Sequence, residues 1–229
     1  LGIIELSTIF ENLKPDIVLT IADRFETMAT AIAASYMNIP LAHTQGGEVT
    51  GSIDESVRHA ITKLSHIHFP SSKKSYKNLI KLGEEKKYIF LTVCPSMDLA
   101  VNLKTDKNLL KKYHGVGSNI DLSKPYLVVL QHPVTTEYED AKFQIKNTIN
   151  AIISLNVQTI WLWPNVDAGS DEISKTLRIY REKKLLNKVR FYKNFDPEDF
   201  LKLIASSKCL VGNSSSAIRE GSFLGIPAV

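Results

Sequence analysis

Two polar segments of this 229-residue sequence have residue types and spacings suited to chemistry. The denser runs His43-Thr44-Gln45-Gly46-Gly47-Glu48-Val49-Thr50-Gly51-Ser52-Ile53-Asp54-Glu55-Ser56-Val57-Arg58-His59. Its three glycines permit close backbone approach to a ligand. Ser52 and Glu55 have capping-box spacing, which assigns Glu55 to the opening of a helix and makes Asp54 the acid to weigh for chemistry. Asp54 and Arg58 stand four apart on one face of that helix. A surface ion pair has the same spacing, and the position beside a glycine loop favours a functional role.

The second segment, Asn213-Ser214-Ser215-Ser216, follows the apolar run Cys209-Leu210-Val211-Gly212 and precedes a predicted helix over 217–224. N–H groups and hydroxyls at a helix opening, aided by the helix dipole, favour a phosphate. One serine would suffice as an N-cap, and three in succession favour an anion site. Glu220, one turn further, has the reach to accept from ribose hydroxyls.

Three further positions follow apolar runs. Asp23-Arg24 comes directly after 16–22, His132 after 126–131, and Asn165 just after 159–163. Asp23 and Arg24 could pair with each other, but charged groups at a strand's carboxyl end are more often functional. His132 is a candidate phosphate or sugar ligand. His59, His66 and His68 do not fall on one face with a fourth ligand and no cysteine lies near them, so no zinc site is expected.

Elements that would position these residues are legible as short apolar runs alternating with amphipathic stretches, the pattern of a parallel sheet covered by helices. Strands are predicted at 16–22, 40–44, 67–69 and 88–93, then at 126–131, 159–163, 188–192 and 209–212, with helices between, such as 25–37. Glycine and proline in Gly115-Val116-Gly117-Ser118-Asn119 and Lys124-Pro125 predict a linker, dividing the chain into domains 1–115 and 116–229. Two doubly wound α/β domains in tandem imply a central cleft, with ligands beyond the carboxyl ends of the strands.

Hydrophobic content of 44% with 23% charge supplies a core of ordinary size. The net charge of +4 comes from lysines interspersed with acids, which suits an anionic ligand and gives no sign of nucleic acid. No apolar run reaches membrane-spanning length and the first residues lack a signal peptide's basic lead, so a cytoplasmic protein without a membrane partner is expected. Cys94 and Cys209 are expected to be reduced structural thiols. The chain starts without methionine inside an apparent helix and stops at Gly225-Ile226-Pro227-Ala228-Val229, an apolar run leading toward another strand, so truncation at both ends is expected.

The run His43 to His68, with Asp23-Arg24 before it and Asn213-Ser214-Ser215 with Arg219-Glu220 after it, resembles the hydrolysing UDP-N-acetylglucosamine 2-epimerases of sialic-acid biosynthesis. The resemblance covers nearly the whole chain. It implies a glycosyltransferase-B-like fold of two Rossmann-like domains, with the nucleotide held mostly by the second and further segments before and after the residues present. It places the catalytic acids at Asp23 and Asp54, with Arg58 in support and the third acidic position on Gln45. Glutamine cannot act as a base, so Asp23, Asp54 or Glu48 would carry the proton work. Arg24, His132, Asn165, Lys193, Asn194, Ser214, Ser215 and Glu220 match positions that contact the nucleotide or its phosphates, and His132, facing the departing diphosphate, counts among the catalytic candidates as well.

The implied reaction removes UDP across C1 and C2 of the sugar to give a glycal, then adds water to yield the free 2-epimer. Carboxylates near C1 and C2 would stabilise oxocarbenium-like charge and accept the C2 proton. The resemblance implies a UDP-sugar substrate, no metal or other cofactor, and a homodimer or homotetramer; UDP-N,N'-diacetylbacillosamine is an alternative substrate. A non-hydrolysing 2-epimerase would carry a longer segment between the glycine turn and the arginine helix. A glycosyltransferase of the same fold would need an acceptor groove, and a nucleotide-sugar sensor would keep the Ser214 site but lose the acids.

Overall fold

The computed structural model describes the chain except Ala22, Ser52, Asn102 and residues 165–168, with Thr135 described by its backbone alone. It divides into two compact units, Leu1–Pro95 and Ser96–Val229.

In the first unit the elements are α1 (Gly2–Leu13), β1 (Val18–Ile21), α2 (Phe25–Tyr36), β2 (Leu41–Thr44), α3 (Ile53–Leu64), β3 (Ile67–Phe69) and α4 (Lys73–Lys81). The strands pair in parallel in the order β1-β2-β3, so their carboxyl ends share one edge. Ala31, Ala33 and Ala34 of α2 are buried with Phe10, Val18, Leu41 and Ile61. Their short side chains let α2 pack closely between its neighbours, burying apolar area at about 25 cal/mol per Å².

The strand expected over 88–93 does not extend. Lys86–Tyr88 form a 3-10 turn, and Ile89 makes a single parallel bridge to His68, with Phe90 N donating to His68 O at 2.8 Å. Val93 has φ +67°, which an L-residue in a ladder does not adopt, and Phe90, Leu91 and Val93 are exposed. An apolar run alone did not distinguish a paired strand from an exposed loop.

The second unit contains α5 (Ser96–Ala100), β4 (Val116–Gly117), β5 (Tyr126–Val129), α6 (Ala141–Leu155), β6 (Gln158–Leu162), α7 (Ser170–Glu182), β7 (Val189–Tyr192), α8 (Pro197–Ala205), β8 (Cys209–Val211) and α9 (Glu220–Leu224). The sheet order is β4-β7-β6-β5-β8, with β4 antiparallel and the rest parallel. Both faces are covered: Tyr126, Val128 and Leu130 pack with α8 residues on one side, Leu127 and Val129 with α6 and α7 on the other. That two-sided burial explains why β5 reads as a continuous apolar run.

Residues 96–115, expected in the first domain, lie in the second unit. Ala100 and Leu109 are buried in its core beside Leu201 and Leu203, and the Tyr113 hydroxyl donates to Asp199 Oδ2 at 2.9 Å. Desolvation, together with Asp199 and Asp196, pushes the Tyr113 phenol up to about 12. The predicted linker is part of the sheet: Gly117, at φ +122°, takes the edge of β7, where a Cβ would stand 2.4 Å from Val189 O.

His68, on β3, places Nε2 3.1 Å from Glu84 Oε2, while Lys63 holds Glu84 Oε1 at 2.6 Å. Burial depresses the imidazole below its ordinary 6.5, outweighing the pull of Glu84. A base with a depressed folded-state pKa favours folding above its unfolded pKa and loses that contribution as pH falls. Thermal unfolding followed downward from pH 6.5 should therefore show stability falling by at most about 1.4 kcal/mol per pH unit from this group. His68→Gln should flatten that slope; an unchanged slope would assign it to other groups.

Candidate active site

Beyond the carboxyl ends of β1, β2 and β3, side chains from all three strand exits join in one network. Arg58, on α3, is 1% exposed and donates from Nη2 to Asp23 Oδ2 after β1, and from Nη1 to Glu48 O after β2 at 2.7 Å. The Glu48 carboxylate in turn accepts from Ser71 Oγ after β3. Asp54 and Arg58 have the spacing of a surface ion pair, but the guanidinium is buried. Its forked N–H groups turn inward to a carboxylate and a carbonyl, where a low dielectric makes each charge-assisted bond stronger than on the surface. Arg58 Nε is buried without a hydrogen-bond partner.

Asp54 is exposed in the first turn of α3. Ser52, its expected capping partner, lies outside the described residues. Glu55 accepts from Thr50 N at 2.8 Å and Gly51 N at 2.6 Å, so it fastens the loop to the helix, a structural role. The Gly51 and then the Thr50 N–H hold its carboxyl below the usual range. Arg24 is half-exposed, with Nε 3.4 Å from Glu26 Oε2.

The glycine turn is a fixed element. Gly47 has φ +79°, and a Cβ there would stand 2.4 Å from Ser75 O on α4. Asn78 Nδ2 donates to Gly47 O at 2.9 Å. Gln45, also left-handed at φ +61°, is buried with Nε2 3.9 Å from Cys94 Sγ. The histidines have separate structural partners: His59 Nε2 lies 3.6 Å from Glu55 Oε1 and His66 Nδ1 accepts from Leu41 N at 3.2 Å. Cys94 and Cys209 form no disulfide, and burial raises the Cys209 thiol.

In the second unit the chain advances from β5 to β6 to β7 and returns to the other side of β5 as β8. The β5/β8 junction is therefore the topological switch point, where open α/β sheets bind ligands. His132 leaves β5 there and Asn213 leaves β8. Asn213 Oδ1 accepts from His132 N at 2.8 Å and its Nδ2 donates to His132 O at 2.9 Å, clamping the two exits together. Gly212, at φ +131°, allows this approach, since a Cβ would meet Leu130 O at 2.0 Å.

The helix expected over 217–224 is two pieces, a 3-10 turn Ser215–Ala217 and the five-residue α9. So short an element has little dipole, and an anion here would rely on hydroxyl and N–H donors instead. Ser214 Oγ accepts from Ser216 N at 3.3 Å, an N-cap, while Ser215 is exposed. Glu220 Oε1 accepts from Ser96 Oγ at 3.1 Å and its Oε2 is buried without a hydrogen-bond partner. Lys193 and Asn194 are exposed just past β7, at the same sheet edge. Asn165 lies outside the described residues.

Ser71 and Ser96 were not predicted. Ser71 carried a usable signal, since Phe69-Pro70-Ser71 exits a strand, but Ser71-Ser72 also reads as a helix cap. Ser72 does cap α4, accepting from Ser75 N at 3.1 Å. Ser96 precedes an apolar helix and had no local signal.

Parallel α/β sheets in two units, each with polar side chains gathered past its strand ends, define a glycosyltransferase-B-like fold. A solved UDP-N-acetylglucosamine 2-epimerase from Neisseria meningitidis, bound to UDP-N-acetylglucosamine, has this fold, with TM-score 0.76 and 19% identity over 100% of this chain and 62% of its own. The family model described as UDP-N-acetylglucosamine 2-epimerase matches residues 1–229, and the chain belongs to that family. It is 36% identical to the UDP-N,N'-diacetylbacillosamine 2-epimerase (hydrolyzing) of Legionella pneumophila over 96% of this chain and 57% of that protein. It is 34% identical to the GDP/UDP-N,N'-diacetylbacillosamine 2-epimerase (hydrolyzing) of Campylobacter jejuni over 97% of this chain and 58% of that protein. The chain thus spans somewhat more than half the length of these curated relatives. No described helix is long and apolar enough to cross a membrane.

Proposed function

We propose that the chain is part of a hydrolysing 2-epimerase, which converts a UDP-2-acetamido sugar to the free 2-epimer and UDP. The observation that carries this reading is the Arg58 guanidinium joining the Asp23 carboxylate to the Glu48 main chain past adjacent parallel strands. Such an arrangement fixes an acid for a reaction that needs carboxylates at C1 and C2. Asp54 supplies a further, solvent-accessible carboxylate. Arg24, His132, Asn165, Lys193, Asn194, Ser214, Ser215 and Glu220 are assigned to the nucleotide and its phosphates. In steps, the C2–H electron pair forms the C1=C2 bond, the C1–O pair leaves with UDP, and water then adds with hydroxyl at C1 and a proton at C2. The word hydrolyzing in the names of both relatives supports water as the acceptor. A homodimer or homotetramer in the cytoplasm belongs to the same proposal.

Full-length enzyme in deuterated water should convert UDP-N-acetylglucosamine to free N-acetylmannosamine deuterated at C2. Intact epimeric UDP-sugars would instead assign the non-hydrolysing reaction, and turnover only with an added acceptor would assign a transferase. The relatives' names make UDP-N,N'-diacetylbacillosamine the second substrate to assay, with the higher kcat/KM identifying the sugar. Asp54→Asn should lower kcat by about 10²-fold or more while UDP affinity stays within about twofold; full activity would remove Asp54 from the catalytic set.

A further inference from the structure

Gln45 cannot supply a base, and its buried amide is turned to Cys94 Sγ at 3.9 Å. Three residues on, Glu48 is held twice: its carbonyl by Arg58 Nη1 at 2.7 Å, its carboxylate by Ser71 Oγ. Gly47 before it is wedged against Ser75 O and bonded by Asn78, so the backbone that carries Glu48 is immobilised too. Ser71 is itself fixed, between the buried Pro70 and the N-cap Ser72. Of these two adjacent serines, Ser72 does the capping, and the Ser71 hydroxyl is given to Glu48.

We propose that Ser71 is a positioning residue that aims the Glu48 carboxylate, and that Glu48 is the base that accepts the C2 proton in place of the acid absent at Gln45. This rests on the elimination reading above. The Glu48 carboxylate takes the proton while the C–H pair becomes the C1=C2 bond and the C1–O pair departs on UDP. A hydroxyl donated to one carboxylate oxygen fixes the plane of the group. Misplacing a reacting group by about 1 Å can cost about 10²-fold in rate.

The test uses the full-length enzyme with Ser71→Ala, Ser71→Thr and Glu48→Gln, and substrate with hydrogen or deuterium at C2. Ser71→Ala should lower kcat by about 10–10²-fold with KM within about twofold. It should also raise the primary isotope effect on kcat, and Ser71→Thr, which restores the hydroxyl, should recover most of the rate. Glu48→Gln should lose about 10²-fold or more, with Ser71→Ala adding little to it. Wild-type kinetics in Ser71→Ala would overturn the proposal. So would a loss shared between KM and thermal stability with the isotope effect unchanged, which is the mark of a merely structural serine. Wild-type enzyme that releases UDP without C2–H cleavage would instead overturn the elimination reading, and the base role of Glu48 with it.

Discussion

Arg58→Ala should abolish turnover and destabilise the protein by about 3–5 kcal/mol, the range for deleting one partner of a buried ion pair. Arg58 is 1% exposed, and its removal leaves Asp23, whose side chain is 16% exposed, without its countercharge and the Glu48 carbonyl without its Nη1 donor. Cavity formation adds to that cost, because the guanidinium and its stem fill space under the strand exits. Arg58→Lys should recover part of the stability and little of the activity. An ammonium is a point donor and cannot span Asp23 and Glu48 as a planar fork does. Urea unfolding of both variants, with turnover measured alongside, tests this. Wild-type midpoint and rate in Arg58→Ala would mean that the network contributes to neither property.

Gly212→Ala should cost about 3 kcal/mol or more and weaken nucleotide binding with it. At φ +131° an alanine is strained whatever the space, and its Cβ would meet Leu130 O at 2.0 Å and Leu130 C at 2.6 Å. Both are backbone atoms, so relief requires β8 to part from β5. The Asn213 amide would then lose its paired bonds to His132 N and O, and the switch-point edge would open. Calorimetric titration with UDP on a sample shown by circular dichroism to be folded separates the two effects. Unchanged stability together with unchanged UDP affinity would show that the β5/β8 junction neither bears on folding nor forms part of the nucleotide site. Asn213→Ala, which removes the clamp and keeps the glycine, should show a smaller loss of stability with a similar loss of affinity.

Seven of the eight strands predicted from apolar runs are present, with ends within two residues of those expected. The eighth, over 88–93, is a single bridge, since an apolar run reports hydrophobicity and not pairing. Domain division was less legible. Gly115 to Gly117 has linker composition, yet Gly117 is glycine because the edge of β7 passes too close for a Cβ. The 96–115 segment reads as a continuation of the first domain, and its apolar residues are consumed by the second core.

By itself the sequence determined which residues stand past strand ends: Asp23, Gln45 to Glu48, His132, and Asn213 to Ser215. Those are local facts, carried by apolar runs and the turn residues that stop them. Partners were decided only by tertiary structure. Four residues along its own helix, Asp54 is the sequence neighbour of Arg58, but Asp23, thirty-five positions away, receives the guanidinium. β1 lies beside β2, so the acid after β1 comes within reach of a side chain packed beneath the loop after β2. A buried cation needs a countercharge within its low-dielectric surroundings, and that requirement outweighs helical proximity. Strand order likewise brought β8 back to β5, so that Asn213 clamps His132, eighty-one residues distant, at the junction the sheet leaves open to a ligand.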